Sequence, residues 1–361
     1  MKTELTNRLT IAKVGRKLAR FTIPLVAWLI IELIILPIDF FTFRVWETLI
    51  VNNVKLLSGP FYPNYKLNKI EEGELVPHTQ FAKKRKVFWQ TDSWGFRNRD
   101  ANGHQNIVII GDSFVAGVKL DQDEILPEVM SKELKQKVYG FGPAGPQFVS
   151  KFLVTKRFQI DPPEIVVLGR IERSVLDLPP VNPKHFKAKI EDDVSNIIYK
   201  NTLLEKVTVY ADRALKFPSL QFLRGYVQRS NRKLPAHHGE DFFVQGDNCL
   251  AKRGVSDEDI EKLADIVKDY DKALKDKNIR FIFMPIPDKE TVFYKYFTDK
   301  KPDFLPRLIN RCRELGVETV DIHDPFIEAH YLGKKRLYFT DDGHWNYAGV
   351  KIASEQLAKT I

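Results

Sequence analysis

The sequence has little cysteine, only Cys249 and Cys312 in 361 residues. Neither sits in a paired metal or redox motif, which excludes a zinc ribbon or a thioredoxin-type centre. In an oxidising compartment the two would allow one disulfide, which sequence spacing does not establish. No fixed period recurs, so a repeat array is excluded, and no histidine–carboxylate spacing points to a metal site. Spread-out positive charge is missing as well. The net charge is +9, but six Lys/Arg against one acid in the first twenty residues account for +5, leaving about +4 for everything else. That excludes nucleic acid as the partner composition would predict. What remains is an ordinary globular composition, 43% apolar and 29% charged, long enough for one large domain with additions.

One stretch departs from that composition: FTIPLVAWLIIELIILPIDFFTF, Phe21 to Phe43. From Phe21 to Ile38 the only charge is Glu32, and eighteen such residues are near the lower limit for crossing about 30 Å of hydrocarbon. Lys2, Arg8, Lys13, Arg16, Lys17 and Arg20 precede it, so the positive-inside rule keeps the N-terminus in the cytoplasm and turns the rest of the chain outward. No small-x-small cleavage site follows at Leu36 to Phe40, which favours an uncleaved signal anchor. Glu32 either sits protonated in a helix contact or marks a partner within the membrane. The expected organisation is a basic cytoplasmic tail (1–20), a single-pass anchor in the cell membrane (21–43), a turn-rich linker and approach segment (44–105) carrying KKRK at Lys83 to Lys86, and a periplasmic or extracellular domain (106–361).

From Asn106 onward, short apolar runs alternate with helical spacing. The strand candidates are Ile107–Ile110, Val138–Phe141, Ile165–Leu168, Arg280–Met284 and Val317–Ile322, each bounded by Gly, Pro or Asp. They are apolar at successive positions, as strands buried on both faces must be. The clearest helix follows Ser256, an N-cap with acidic residues in the next turn, and presents Ile260, Leu263, Ile266, Val267 and Tyr270 on one face. This alternation predicts a three-layer α/β/α sandwich around a five-stranded parallel sheet. About 178–250, basic and aromatic amphipathic stretches interrupt the pattern and read as a helical insertion covering a sheet edge, or as a lid or docking surface.

In such sheets functional side chains gather after the C-terminal strand ends. NIVIIGDSFVAGV brings Ser113 to that position. Gly111 and Asp112 also serve to stop a strand, and Ser caps helices, so a nucleophile needs a base elsewhere in the chain. YFTDDGHWNYAGV offers one: Asp342 and His344 flank Gly343 ahead of a helix, with Asp341 as the rival orienter. His323 in DIHDP is an alternative base. Lys289 in PDKE reads as structural, and Trp345 as packing for the histidine loop.

GDSF at Gly111 to Phe114 and DGHWN at Asp342 to Asn346 resemble the first and last blocks of the SGNH (GDSL-type) hydrolases, a superfamily of esterases, lipases, deacetylases and acyltransferases. TDSWGFRN at Thr91 to Asn98 is similar to a segment that precedes the nucleophile strand in bacterial members. The resemblance implies the flavodoxin-like SGNH fold, Ser113 as nucleophile, His344 as base, Asp342 as its partner, and the Ser113 and Gly145 N–H groups as oxyanion donors. It implies no cofactor and no metal. The third block, normally an asparagine in GxND, is here VVLGRIERS without one; Arg173 either replaces that donor, binds a substrate carboxylate, or pairs with a neighbour. IER, PIPDKETVFY and DGHW together resemble the SGNH-like domains of alginate O-acetyltransferases, although there the Asp-His element precedes the serine. The expectation is a serine esterase or O-acetyltransferase acting on acetyl esters of cell-surface polysaccharide, transfer requiring a membrane partner that exports the acyl group. The alternative is a non-catalytic glycan-binding or assembly protein of the same fold.

Overall fold

The computed structural model describes residues 17–31, 59–145, 147–182, 202–215, single positions between 217 and 227, and 234–361. Two units divide the chain, one formed by 1–55 with 197–232, the other by 56–196 with 233–361.

The larger unit opens with an antiparallel pair, β1 (Lys66–Glu71) and β2 (Arg85–Gln90), in register from Lys66 opposite Gln90 to Glu71 opposite Arg85. The segment expected as linker therefore carries ordered structure. Next come β3 (Ile107–Gly111), β4 (Val138–Phe141) and β5 (Ile165–Ile171), a short pair β6 (His237–His238) and β7 (Asp241–Phe242), then β8 (Arg280–Ile286) and β9 (Glu318–Thr319). Five of these form one parallel sheet in the order β4-β3-β5-β8-β9, the doubly wound order whose switch point lies between β3 and β5.

Successive strand residues point to opposite faces, and both faces are covered. Val108, Ile110, Val166, Leu168, Phe281 and Phe283 pack into one core with the helix Asp257–Lys275. Ile107, Ile109, Val167, Ile282 and Met284 pack into the other with the helices Leu126–Leu134 and Tyr347–Ala358. Most of these side chains are inaccessible to water, each contributing about 1.5–3 kcal/mol on burial. Ser256 caps its helix through a bond from the Asp259 N–H at 3.1 Å, and Ile260, Leu263, Val267 and Tyr270 are the buried face, with Ile266 at its margin. The last strand is shorter than its apolar run, because Val320 leaves the ladder after one further bond to the Phe283 carbonyl.

In the smaller unit, residues 17–30 are helical and 202–215 form an amphipathic helix. Among the described residues no helix is long and apolar enough to cross a membrane. The rest of the expected span, residues 32–43, lies outside the described residues. The expected insertion 178–250 is divided: 197–232 groups with the N-terminal residues, while β6 and β7 belong to the sheet unit. Cys249 and Cys312 are both buried and free, so the allowed disulfide is not formed.

Candidate active site

Ser113 begins a single helical turn, Ser113–Ala116, directly off the end of β3. Gly111 permits that sharp exit: a Cβ there would come within 2.5 Å of the Gly169 carbonyl oxygen on β5 and closer still to Val115. Asp112 caps the turn by accepting from the Phe114 N–H at 3.0 Å, and its other oxygen accepts from the Ile171 N–H across the switch point at 3.3 Å. Two of the three GDS residues thus hold the third in place.

TDSWGFRN braces the far side of this turn. Arg97, fully buried, donates to the carbonyls of Ala116, Gly117, Leu120 and Phe88 and lies over the Trp89 ring. Its loss of hydration lowers its pKa to about 9. Asn98 bonds both the N–H and the carbonyl of Gly140 on β4. The segment fixes the edge strand and the chain leaving Ser113.

The second half of the site comes from the turn ahead of the helix Tyr347–Ala358. Asn346 caps that helix through the N–H groups of Ala348 and Gly349, and Trp345 is wholly buried against Phe114 and Phe326. This packing brings His344 to the serine across 231 positions of sequence: Nε2 lies 2.7 Å from Ser113 Oγ. Asp342 Oδ1 lies 2.6 Å from His344 Nδ1 and also accepts from the His344 N–H at 2.9 Å. Its Oδ2 accepts from the Glu74 N–H at 2.8 Å. Burial opposes charge on both side chains, yet their mutual bond outweighs it. Asp342 is held well below the usual carboxylate range, and His344, with Glu74 adding a nearby negative charge, above the usual histidine value. An ionised carboxylate only accepts, so Nδ1 carries the proton and Nε2 presents its lone pair to the serine hydroxyl.

Asp341, adjacent in sequence, is turned to different work. It accepts from the N–H groups of Gly73 (3.2 Å) and Lys83 (2.6 Å) and forms an ion pair with Arg85. Gly73 is required there, since a Cβ would lie 2.2 Å from the Asp341 carbonyl oxygen. Asp341 therefore ties the β1–β2 connection to the histidine turn, and of the two neighbours it is Asp342 that meets the imidazole. His323 bonds Asp324 at 2.6 Å rather than Ser113.

Gly145 lies on the loop after β4, with φ 77°, and the neighbouring Ala144 N–H donates to the Gly111 carbonyl at 3.0 Å, tying that loop to the nucleophile strand. No asparagine stands at the end of β5. Instead Glu172 accepts from the Asp288 N–H at 2.9 Å, and Arg173 bonds Asp288 through both its backbone N–H, at 2.9 Å, and its guanidinium. The guanidinium carbon is 5.9 Å from the centre of the Phe114 ring, which also lies 4.8 Å from the His344 ring. Burial with few cations pushes Asp288 up to about 7 and Glu172 up to about 8, Asp288 adding its own repulsion to the latter.

Glu74 and Arg85 stand in no motif, whereas Asp288 and Lys289 lie within PIPDKETVFY. Lys289 is wholly buried and donates to the carbonyls of Phe242 (3.0 Å), Phe339 (2.7 Å) and Thr340 (3.0 Å), fastening the strap that leads into Asp342. Desolvation lowers it to about 8. Glu74, Asp342 and His344 are the one group among the described residues whose donor atoms converge closely enough for a cation. Both imidazole nitrogens are already engaged, which favours proton transfer over metal ligation.

A hydroxyl, an imidazole and a carboxylate in one hydrogen-bonded line at the switch point of a parallel sheet form the constellation of a serine nucleophile with its base. Residues 242–361 match the family described as "SGNH hydrolase-like domain, acetyltransferase AlgX", the same superfamily and subgroup that the motifs resemble. No curated protein matches the sequence. Similar solved structures include a putative lipolytic protein of the G-D-S-L family from Desulfitobacterium hafniense (12% identity, 71% of this chain and 98% of that one, TM-score 0.35). Others are an acetyl xylan esterase (15%, 71% and 98%, 0.35) and a lipase/acylhydrolase from Enterococcus faecalis (13%, 71% and 94%, 0.32).

Proposed function

We propose that this protein is a membrane-anchored serine esterase or O-acetyltransferase that works on acetyl esters of cell-surface polysaccharide. The observation that carries the reading is the line Asp342–His344–Ser113. His344 Nε2 takes the proton as Ser113 Oγ attacks the ester carbonyl, and Asp342 stabilises the imidazolium that forms. The N–H groups of Ser113 and Gly145 receive the oxyanion. Arg173, held by Asp288 and close enough to oppose charge on His344, stands in for the absent asparagine as a donor at the acyl oxygen. Expulsion of the alkoxide, protonated by His344, leaves acetyl-Ser113. Water then gives acetate, or a sugar hydroxyl gives the acetylated glycan.

The family description, an acetyltransferase, supports acetyl transfer, and the resemblance of IER, PIPDKETVFY and DGHW to alginate O-acetyltransferases supports a glycan acceptor. The basic tail and apolar run support a single-pass anchor with the N-terminus in the cytoplasm and the sheet unit outside. Outside the cytoplasm no soluble acetyl donor is expected, so transfer calls for a membrane partner that exports the acyl group. The missing asparagine supports a second reading, a glycan-binding protein without turnover.

Full-length protein in detergent, given an activated acetyl ester with and without an oligosaccharide acceptor, separates these. An acetyl mass increment on the acceptor supports transfer, and acetate alone across several acceptors supports the esterase. Equal rates for wild type and Ser113→Ala leave only the binding protein.

A further inference from the structure

We propose that the helix Thr202–Leu215, with Phe217, Leu220, Leu223 and Val227 after it, forms a second membrane contact, a cationic amphipathic arm that lies on an anionic lipid surface. The inference rests on the anchor reading above and extends it to a segment far away in sequence.

Charge is the first observation. Residues 1–55 carry eight Lys/Arg against four Asp/Glu, and 197–232 carry seven against two. The smaller unit therefore holds the whole net charge of +9, and the sheet unit is neutral. Lys and Arg near an anionic surface are worth about 1 kcal/mol each.

Exposed apolar surface follows the same division. Of the twenty-four large apolar side chains exposed among the described residues, sixteen lie in this unit, nine from Leu18 to Ile31 and seven from Leu203 to Val227. A water-soluble surface scatters such residues singly. Here they share faces. On the helix Thr202–Leu215, Leu203, Val207 and Ala211 are exposed at four-residue spacing, while Val209 is buried. The helix thus has apolar residues on its outward side as well as its inward one. Leu220, Leu223 and Val227 repeat the pattern at i, i+3 and i+7. The arm's sequence also carries Tyr199, Tyr210, Phe217, Phe222 and Tyr226, and amphipathic aromatic rings favour the headgroup level.

Continuity with the apolar N-terminal helix selects lipid as the occupant. Trp28 and Phe217 stack with ring centroids 6.5 Å apart at 27°, so the arm is joined to the helix expected to be in the membrane. Basic residues, interfacial aromatics and an exposed apolar face are together the signature of a helix lying in the interface plane.

The test uses the full chain in vesicles of phosphatidylglycerol and phosphatidylethanolamine. Single cysteines at Val207, Leu220 and Leu223 carry an environment-sensitive fluorophore, and brominated phospholipid is the quencher. Phe21→Cys reports the anchor, Lys262→Cys the exposed face of a sheet-unit helix, and a thermal melt of each variant confirms folding. The expected result is quenching at 207, 220 and 223 comparable with that at 21, none at 262, and weaker quenching in the arm when the vesicles are wholly zwitterionic. Quenching at 21 with none at 207, 220 and 223 overturns the arm and leaves the anchor standing. No quenching anywhere overturns both.

Discussion

Two buried acidic turns flank the same sheet, and their carboxyl groups are shifted in opposite directions. At Asp341–His344, each carboxylate has a dedicated cation or imidazole and backbone N–H donors, and Asp342 stays ionised at zero exposure. At Pro287–Glu290, Arg173 is the cation paired with Asp288, Glu172 accepts from the Asp288 N–H and Glu290 from the Gln245 N–H, and burial pushes Asp288 and Glu172 upward. Burial is common to both, so burial does not decide the charge. The count of donors facing each oxygen does. The first turn is built to keep a negative charge behind an imidazole, the second to hold Arg173 without surrounding it with full charges.

The largest effects should come from the first turn. Ser113→Ala should lower acetyl-ester turnover by on the order of 10⁶, down to the background rate, with an unchanged melting temperature. Asp342→Asn should lower kcat by on the order of 10⁴ by favouring the wrong imidazole tautomer. Asp341→Asn should leave the chemistry nearly intact but cost about 1–3 kcal/mol in urea unfolding, because Arg85 and two N–H groups lose their acceptor.

The second turn gives smaller, opposite-signed responses. Asp288→Asn should raise KM or lower kcat by roughly tenfold if Arg173 is a donor to the acyl oxygen, since a guanidinium without its partner reorients. Titration separates the turns further. Glu172 and Asp288 have folded pKa values above their unfolded ones, so the stability they contribute is present at low pH and is lost as pH rises from about 4 to about 8. Urea unfolding should weaken over that window, and Glu172→Gln should flatten the slope. Asp342 works the other way, its contribution being lost only as pH falls below the usual carboxylate range. His344 must be neutral to act as base. Its raised value places the acid limb of kcat/KM above pH 6.5, and Glu74→Gln should move that limb downward.

The sheet, and the two segments that bring Ser113 and His344 together, were legible because each rests on a local pattern. β3 to β5 read as unbroken apolar runs, and GDSF and DGHWN each keep their functional atoms within four residues. The resemblance favoured Asp342 over Asp341, but the physical reason for the choice was not legible. It depends on Gly73, Glu74 and Arg85, some 260 positions away, in a segment whose mixed composition reads as linker. Lys289 read as structural and is so, but its three backbone-carbonyl acceptors leave no mark in a sequence.

The central claim is that Asp342, and not its neighbour, activates Ser113 through His344. Intact-mass measurement after exposure to a serine-directed fluorophosphonate tests it most directly. The account predicts one adduct, mapped to Ser113, in wild type and in Asp341→Asn, and none on the same timescale in Asp342→Asn or Ser113→Ala. Equal labelling of Ser113 in Asp342→Asn, or an unlabelled wild type, would contradict it.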